Sequence, residues 1–180
     1  MNVVNPEAIG VFGLIITVWC FGLEQIGVGV KDGDHRQISR SLAYVALIFG
    51  GLAQLVTAFA MYFFNVAKDP SLSVYLGTIF ANYGLFWLVI VVFLIKGGDK
   101  KMIAHFFLVQ FLITSAFIYK AIALGMIWPL GVCLTFIALL FVALVPAWYE
   151  KGAIWTKLAG IANIMVGITA VPLFLHALGL

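Results

Sequence analysis

The chain has 180 residues, of which 64% are hydrophobic and only 9% charged, with a mean hydropathy of +1.16 and a formal net charge of +3. So few polar residues exclude an ordinary water-soluble domain and mark an integral membrane protein. The small positive excess comes from loops and gives no argument for a nucleic-acid partner.

A helix needs about 20 apolar residues to cross the hydrocarbon core, and the chain divides into six such stretches, near 7–30, 39–64, 72–95, 102–124, 126–148 and 153–178. The runs are continuous rather than alternating, and an open sheet would leave backbone groups unpaired in lipid, so helices are expected rather than strands. The expected fold is all-α and integral to the membrane, one six-helix transmembrane domain over residues 1–180. With no soluble domain, function must lie within the bundle. No Lys or Arg precedes the first apolar run, so the first helix is expected to stay in the mature protein.

The first helix opens on Asn5-Pro6-Glu7-Ala8-Ile9-Gly10. Asn5 suits the cap, and Pro6 the first turn, where its missing N–H would have had no partner. Gly10 begins a smooth strip. A helix start of this kind carries partial positive charge and free N–H groups, so it suits a small carboxylate as well as serving as a plain cap. Glu24 lies roughly 27 Å further along, at 1.5 Å per residue. It is expected either to pair with Arg36 or Arg40 at the interface or to act as a proton-coupling carboxylate.

In the second stretch Gly50, Gln54 and Thr57 fall at i, i+4 and i+7 and share one face, bordered by Gly51 and Ala58. The third repeats that spacing with Gly77, Ala81 and Gly84, beside Asn82, Tyr83 and Trp87. Gln110 and Thr114 follow in the fourth, Gly131 and Thr135 in the fifth, and Asn163, Gly167 and Ala170 in the sixth. Stripes like these serve close helix packing. Taken together they also suit a narrow passage lined by neutral donors and acceptors. Trp19 and Trp87 are placed inside the bundle, whereas Trp128, Trp148, Tyr149 and Trp155 lie at helix ends as interfacial anchors.

Cys20 and Cys133 read as buried small hydrophobes. His35, His105 and His176 are far apart and in no ligand spacing, so no metal is expected. No haem, iron–sulfur, nucleotide-binding or serine-nucleophile pattern occurs, so neither a cofactor nor an enzymatic activity is expected. Lys31, Arg36, Arg40, Lys96, Lys100, Lys101, Lys151 and Lys157 flank the first, third and fifth loops, against Lys68 and Lys120 on the other side. The positive-inside rule then puts those loops in the cytoplasm of a cell (inner) membrane and both termini outside.

Three blocks go beyond this generic picture. Asn5–Gly10, then Phe49-Gly50-Gly51-Leu52-Ala53-Gln54, then Phe80-Ala81-Asn82-Tyr83-Gly84-Leu85-Phe86-Trp87 resemble the signature blocks of the acetate uptake transporter family, bacterial acetate/succinate permeases among them. The resemblance implies a six-helix protomer with its own pore, a homo-hexameric ring, a fold similar to that of acid-gated urea channels, and passage of acetate or similar short carboxylates. It also implies an apolar constriction with Tyr83 from the third helix, completed by Leu14 and Leu134, and a position matching Ala170 that affects substrate size. The family usually has an aromatic residue where this chain has Leu14. It commonly has a second proline and a small residue where this chain reads Glu7-Ala8.

Glu7 reads either as a first-turn partner of the helix dipole or as a proton acceptor at the mouth. The expected substrate-binding residues are Asn5, Pro6, Gly10, Gln54, Thr57 and Asn82, of which Asn5 with the helix start, Gln54 and Asn82 replace water on the carboxylate before its methyl meets the constriction. A bare carboxylate pays heavily to cross an apolar ring and neutral acetic acid far less, so proton-linked or channel-like passage is expected. The alternatives are a passive channel for a neutral solute such as urea, ammonia or short amides, and an assembly subunit without a pore.

Overall fold

The computed structural model describes residues 5–29, 33–64 and 69–180. Its six long helices are α1 (Glu7–Ile26), α2 (His35–Phe64), α3 (Pro70–Lys96), α4 (Lys100–Ala123), α5 (Ile127–Trp148) and α6 (Ala153–Ala177), each long and apolar enough to cross a membrane. No strand occurs among the described residues. Lys31 and Lys68, two of the charges used for orientation, lie outside the described residues.

Hydropathy locates these helices but misplaces their starts. α2, α3 and α4 begin at 35, 70 and 100 rather than 39, 72 and 102, because an aspartate caps each. Asp34 Oδ1 accepts the Arg36 N–H at 2.9 Å, Asp69 Oδ1 the Ser71 N–H at 2.8 Å, and Asp99 Oδ1 the Met102 N–H at 2.9 Å. Each cap satisfies an amide that the helix itself leaves open, so the helix extends past the apolar run into polar surroundings. α1 stops at Ile26 rather than near 30, at Gly27, whose φ of 84° is readily adopted only by glycine.

The Ser71 hydroxyl and N–H hold the Asp69 carboxyl below its ordinary 3.8. A lowered value in the fold means that the charged cap stabilises above pH 3.8, and that this contribution is lost as pH falls through the lower folded value. Asp69→Ala is therefore expected to lower the melting temperature in detergent at neutral pH, and Asp69→Asn to retain most of it. Well below pH 3.8 the wild-type advantage over the alanine variant should shrink. Equal melting of both variants at neutral pH would contradict the cap.

Internal contacts group the chain into two compact units. The first holds the α2–α3 hairpin, α1 up to Thr17 and α6 from Val171 onward. Its hairpin is built on small residues that receive large ones. A Cβ on Gly50 would meet the Trp87 ring at 2.6 Å, one on Gly51 would meet Leu88 Cδ2 at 2.8 Å, and one on Gly84 would meet Leu55 Cγ at 2.8 Å. Residues Ala46–Leu52 are π-helical, with the Ala53 N–H reaching back to the Ile48 carbonyl. This wider turn lies where Trp87 and Leu88 press in.

The second unit holds the α4–α5 hairpin, α1 from Val18 and α6 up to Ala170. Phe107 stacks on Phe141 at 6.3 Å and meets Trp148 edge-on at 5.6 Å. Gly22 and Gly160 bring α1 against α6, since a Cβ on either would lie 2.9 Å from the other's carbonyl oxygen. The indole Nε1 of Trp19 donates to the Ile164 carbonyl at 3.2 Å, and its ring covers Gly167. Trp87 is buried as expected, but Trp19 is not: 40% of it remains exposed, because only its polar edge is drawn onto α6. Trp128, expected at an interface, is exposed at the start of α5. Cys133 is buried and Cys20 half-buried.

Candidate functional site

The first unit brings several of the expected site residues together. Asn5 caps α1, its Oδ1 accepting the Glu7 N–H at 3.2 Å while its Nδ2 donates to Glu7 Oε2 at 3.1 Å. Both ends of the amide thus engage Glu7, and the Glu7 carboxylate sits in the first turn, where the helix dipole favours an anion. Pro6 places its carbonyl against α2, where it accepts the Thr57 hydroxyl at 3.0 Å. A Cβ on Gly10 would meet Phe80 Cε1 at 2.6 Å and Thr57 Oγ1 at 2.9 Å, so the absence of a side chain there lets α1, α2 and α3 converge.

One turn before Thr57, on the same face of α2, stands Gln54. It is 1% exposed, and its Nε2 has no hydrogen-bond partner. Buried polar groups are nearly always paired, and leaving one unpaired costs about 1–3 kcal/mol. Gln54 therefore differs from Asn5 and Thr57, which are engaged in holding α1.

Tyr83 is buried in α3, 4% exposed, next to the half-buried Asn82, and Leu14 is half-buried in α1. Leu134 in α5 and Ala170 in α6 are both buried within the second unit. Glu24 is half-buried in the last turn of α1. Arg36 and Arg40, the partners expected for it, form no ion pair among the described residues. Elsewhere, Lys100 and Glu150, both exposed, form an ion pair, and Lys100 holds the Glu150 carboxyl below the usual carboxylate range. A pair so exposed adds little to stability.

Gln25, outside the small-polar stripes, has its Oε1 accepting Asn163 Nδ2 at 2.9 Å across 138 residues of chain. Its signal was present, since an amide inside an apolar stretch seeks a partner on another helix. Asn163 Oδ1 is itself buried and unpartnered. Among the described residues each unit thus contains one side-chain amide with a buried, unmet hydrogen bond.

No protein-family model matches the sequence, and no curated protein matches it. Among solved structures the chain is similar to the bacterial acetate channel SatP, with a TM-score of 0.80 and 19% identity, over 97% of this chain and 91% of that one. The class is therefore a six-helix membrane protein with the fold of that channel. The resemblance carried by the three sequence blocks is borne out at the level of fold.

Proposed function

We propose that this protein conducts acetate and similar short monocarboxylates across the membrane. The single observation that carries the reading is the buried, unpartnered Nε2 of Gln54, beside the α1 start that Pro6, Gly10 and Thr57 build. A donor without a partner in an apolar bundle suits an acceptor that visits, and a carboxylate oxygen is such an acceptor. The fold likeness to an acetate channel supports the same solute.

On this reading Gln54, with Asn82 in the next stage, replaces water on the carboxyl group. Leu14 and Tyr83 carry the apolar constriction within the first unit. Neutral acetic acid crosses such a constriction at far lower cost than acetate, which makes passage proton-linked. Glu7 and Glu24 are the carboxylates available for proton exchange. Loop charges orient both termini outside, and the protomers form a hexameric ring with one pathway each.

A neutral-solute channel is the second reading. It is favoured by the Glu7 carboxylate at the α1 start, where acetate would arrive, although Asn5 already donates to that carboxylate.

Removing the Tyr83 ring is expected to leave acetate flux intact or raised and to raise butyrate flux several-fold, read as labelled uptake into proteoliposomes. Unchanged fluxes for every solute would place Tyr83 outside the pathway. Uptake should also rise as external pH falls and drop with a protonophore; insensitivity to both would overturn proton linkage.

A further inference from the structure

A second feature of the first unit belongs to neither the candidate pathway nor the helix packing. Where α2 begins and α3 ends, an open groove of about 330 Å³ is lined by His35, Arg36, Ser39 and Arg40 on one wall and by Leu94 and Ile95 on the other. Arg36 and Arg40 are four residues apart, so their side chains neighbour each other on one helix face. Both are exposed, and neither guanidinium forms an ion pair among the described residues. Among the described residues no acidic side chain lines the groove, and Asp34, the described acid next in sequence, spends Oδ1 on the Arg36 N–H.

The placement of these charges is unfavourable by itself. Two arginines in the opening turns of α2 stand at the positive end of its dipole, where cations are disfavoured and anions favoured. An anion bound between them would offset the like charges and the dipole together. Phosphate fits this best, because the planar guanidinium donates to it through paired N–H groups.

The opposite wall indicates what carries the phosphate. Ile95 is 52% exposed, and Val92, one turn deeper on α3, is also exposed. On α2 the exposed Tyr44 follows Arg40 by one turn. Arginine, then tyrosine, then open aliphatic surface, read from the helix end inward, matches the order of headgroup, interface and acyl chain in a lipid. Free phosphate would make no use of the apolar wall.

We infer that this groove binds an anionic phospholipid of the surrounding leaflet, its phosphate between Arg36 and Arg40 and an acyl chain along Leu94 and Ile95. The inference is independent of the transported solute. A basic residue at a membrane surface contributes about 1 kcal/mol toward an anionic lipid, which corresponds to roughly fivefold in affinity per arginine and roughly thirtyfold for two.

The test is native mass spectrometry of the full chain released from detergent, titrated with phosphatidylglycerol, phosphatidylcholine or soluble glycerol phosphate. Phosphatidylglycerol is expected to bind and the other two are not. R36Q/R40Q should weaken that binding roughly thirtyfold and R40Q alone roughly fivefold, so that the single variant still reports if the double one folds poorly. Lys157→Gln, which removes an exposed charge from α6, should change nothing. Four results would overturn the inference: equal binding of both lipids, full competition by glycerol phosphate, equal loss in Lys157→Gln, or lipid adducts unchanged in R36Q/R40Q. An altered oligomeric mass with unchanged adducts would give the groove to a second copy of the chain.

Discussion

Gln54→Leu is expected to fold at least as stably as the wild type while losing acetate flux by roughly ten- to hundredfold, the loss corresponding to one hydrogen bond to a charged group. The two halves of this expectation have one cause. In the resting protein Nε2 is buried without a partner, a standing cost that an apolar side chain of similar size removes. During transport the same donor is the group that would meet the carboxyl oxygen, and leucine offers nothing in its place. A stabilised protein that no longer transports is the signature of a polar residue retained for its ligand. Melting temperature in detergent and labelled acetate uptake in proteoliposomes read the two halves separately. If leucine lowers stability and leaves flux alone, Gln54 is a structural amide and the proposed station is wrong.

Gly13→Ala is expected to cost about 3 kcal/mol, the upper end of what overpacking costs. The added methyl would overlap the Phe49 carbonyl oxygen and come within 2.9 Å of Ala53 Cβ. A carbonyl in a helix cannot rotate away, so α1 would have to move off α2, disturbing the neighbouring Leu14 and the Gly10–Thr57 approach one turn away. Gly51→Ala is the matched control, because its methyl meets the end of a flexible side chain, Leu88 Cδ2 at 2.8 Å, which has other rotamers. Thermal unfolding should rank wild type, Gly51→Ala and Gly13→Ala in that order. Equal losses would mean that α1 is not seated on the α2 backbone.

Much of this architecture was legible in the sequence, for definite reasons. Apolar length alone locates six spans, because lipid tolerates no unsatisfied backbone. Helix starts were less legible, since hydropathy reports where lipid begins while Asp34, Asp69 and Asp99 set where the helix begins. The small-residue stripes were visible at once, but their partners were not. Gly50, Gly51 and Gly84 receive Trp87, Leu88 and Leu55.

The candidate site shows the same division. Its residue types at α1 and along α2 could be picked from spacing, yet spacing cannot show which polar atoms are already satisfied. Asn5 is engaged with Glu7 and Thr57 with Pro6, which leaves Gln54 as the distinct member of the group. Gln25 is marked by its type, an amide within an apolar stretch, but its partner Asn163, 138 residues away, is not legible from spacing. Trp19 stays 40% exposed because the hydrogen bond to Ile164 and the contact with Gly167 engage only its pyrrole edge.

The central claim is that the pathway takes a short carboxylic acid. It is tested most directly by comparing labelled acetate and labelled urea entry into proteoliposomes containing the purified protein with entry into empty vesicles. Acetate should enter faster with protein present, more so at acidic external pH, while urea entry should match the empty vesicles. Rapid urea equilibration with acetate entry no faster than in empty vesicles would contradict the claim and establish the neutral-solute channel instead.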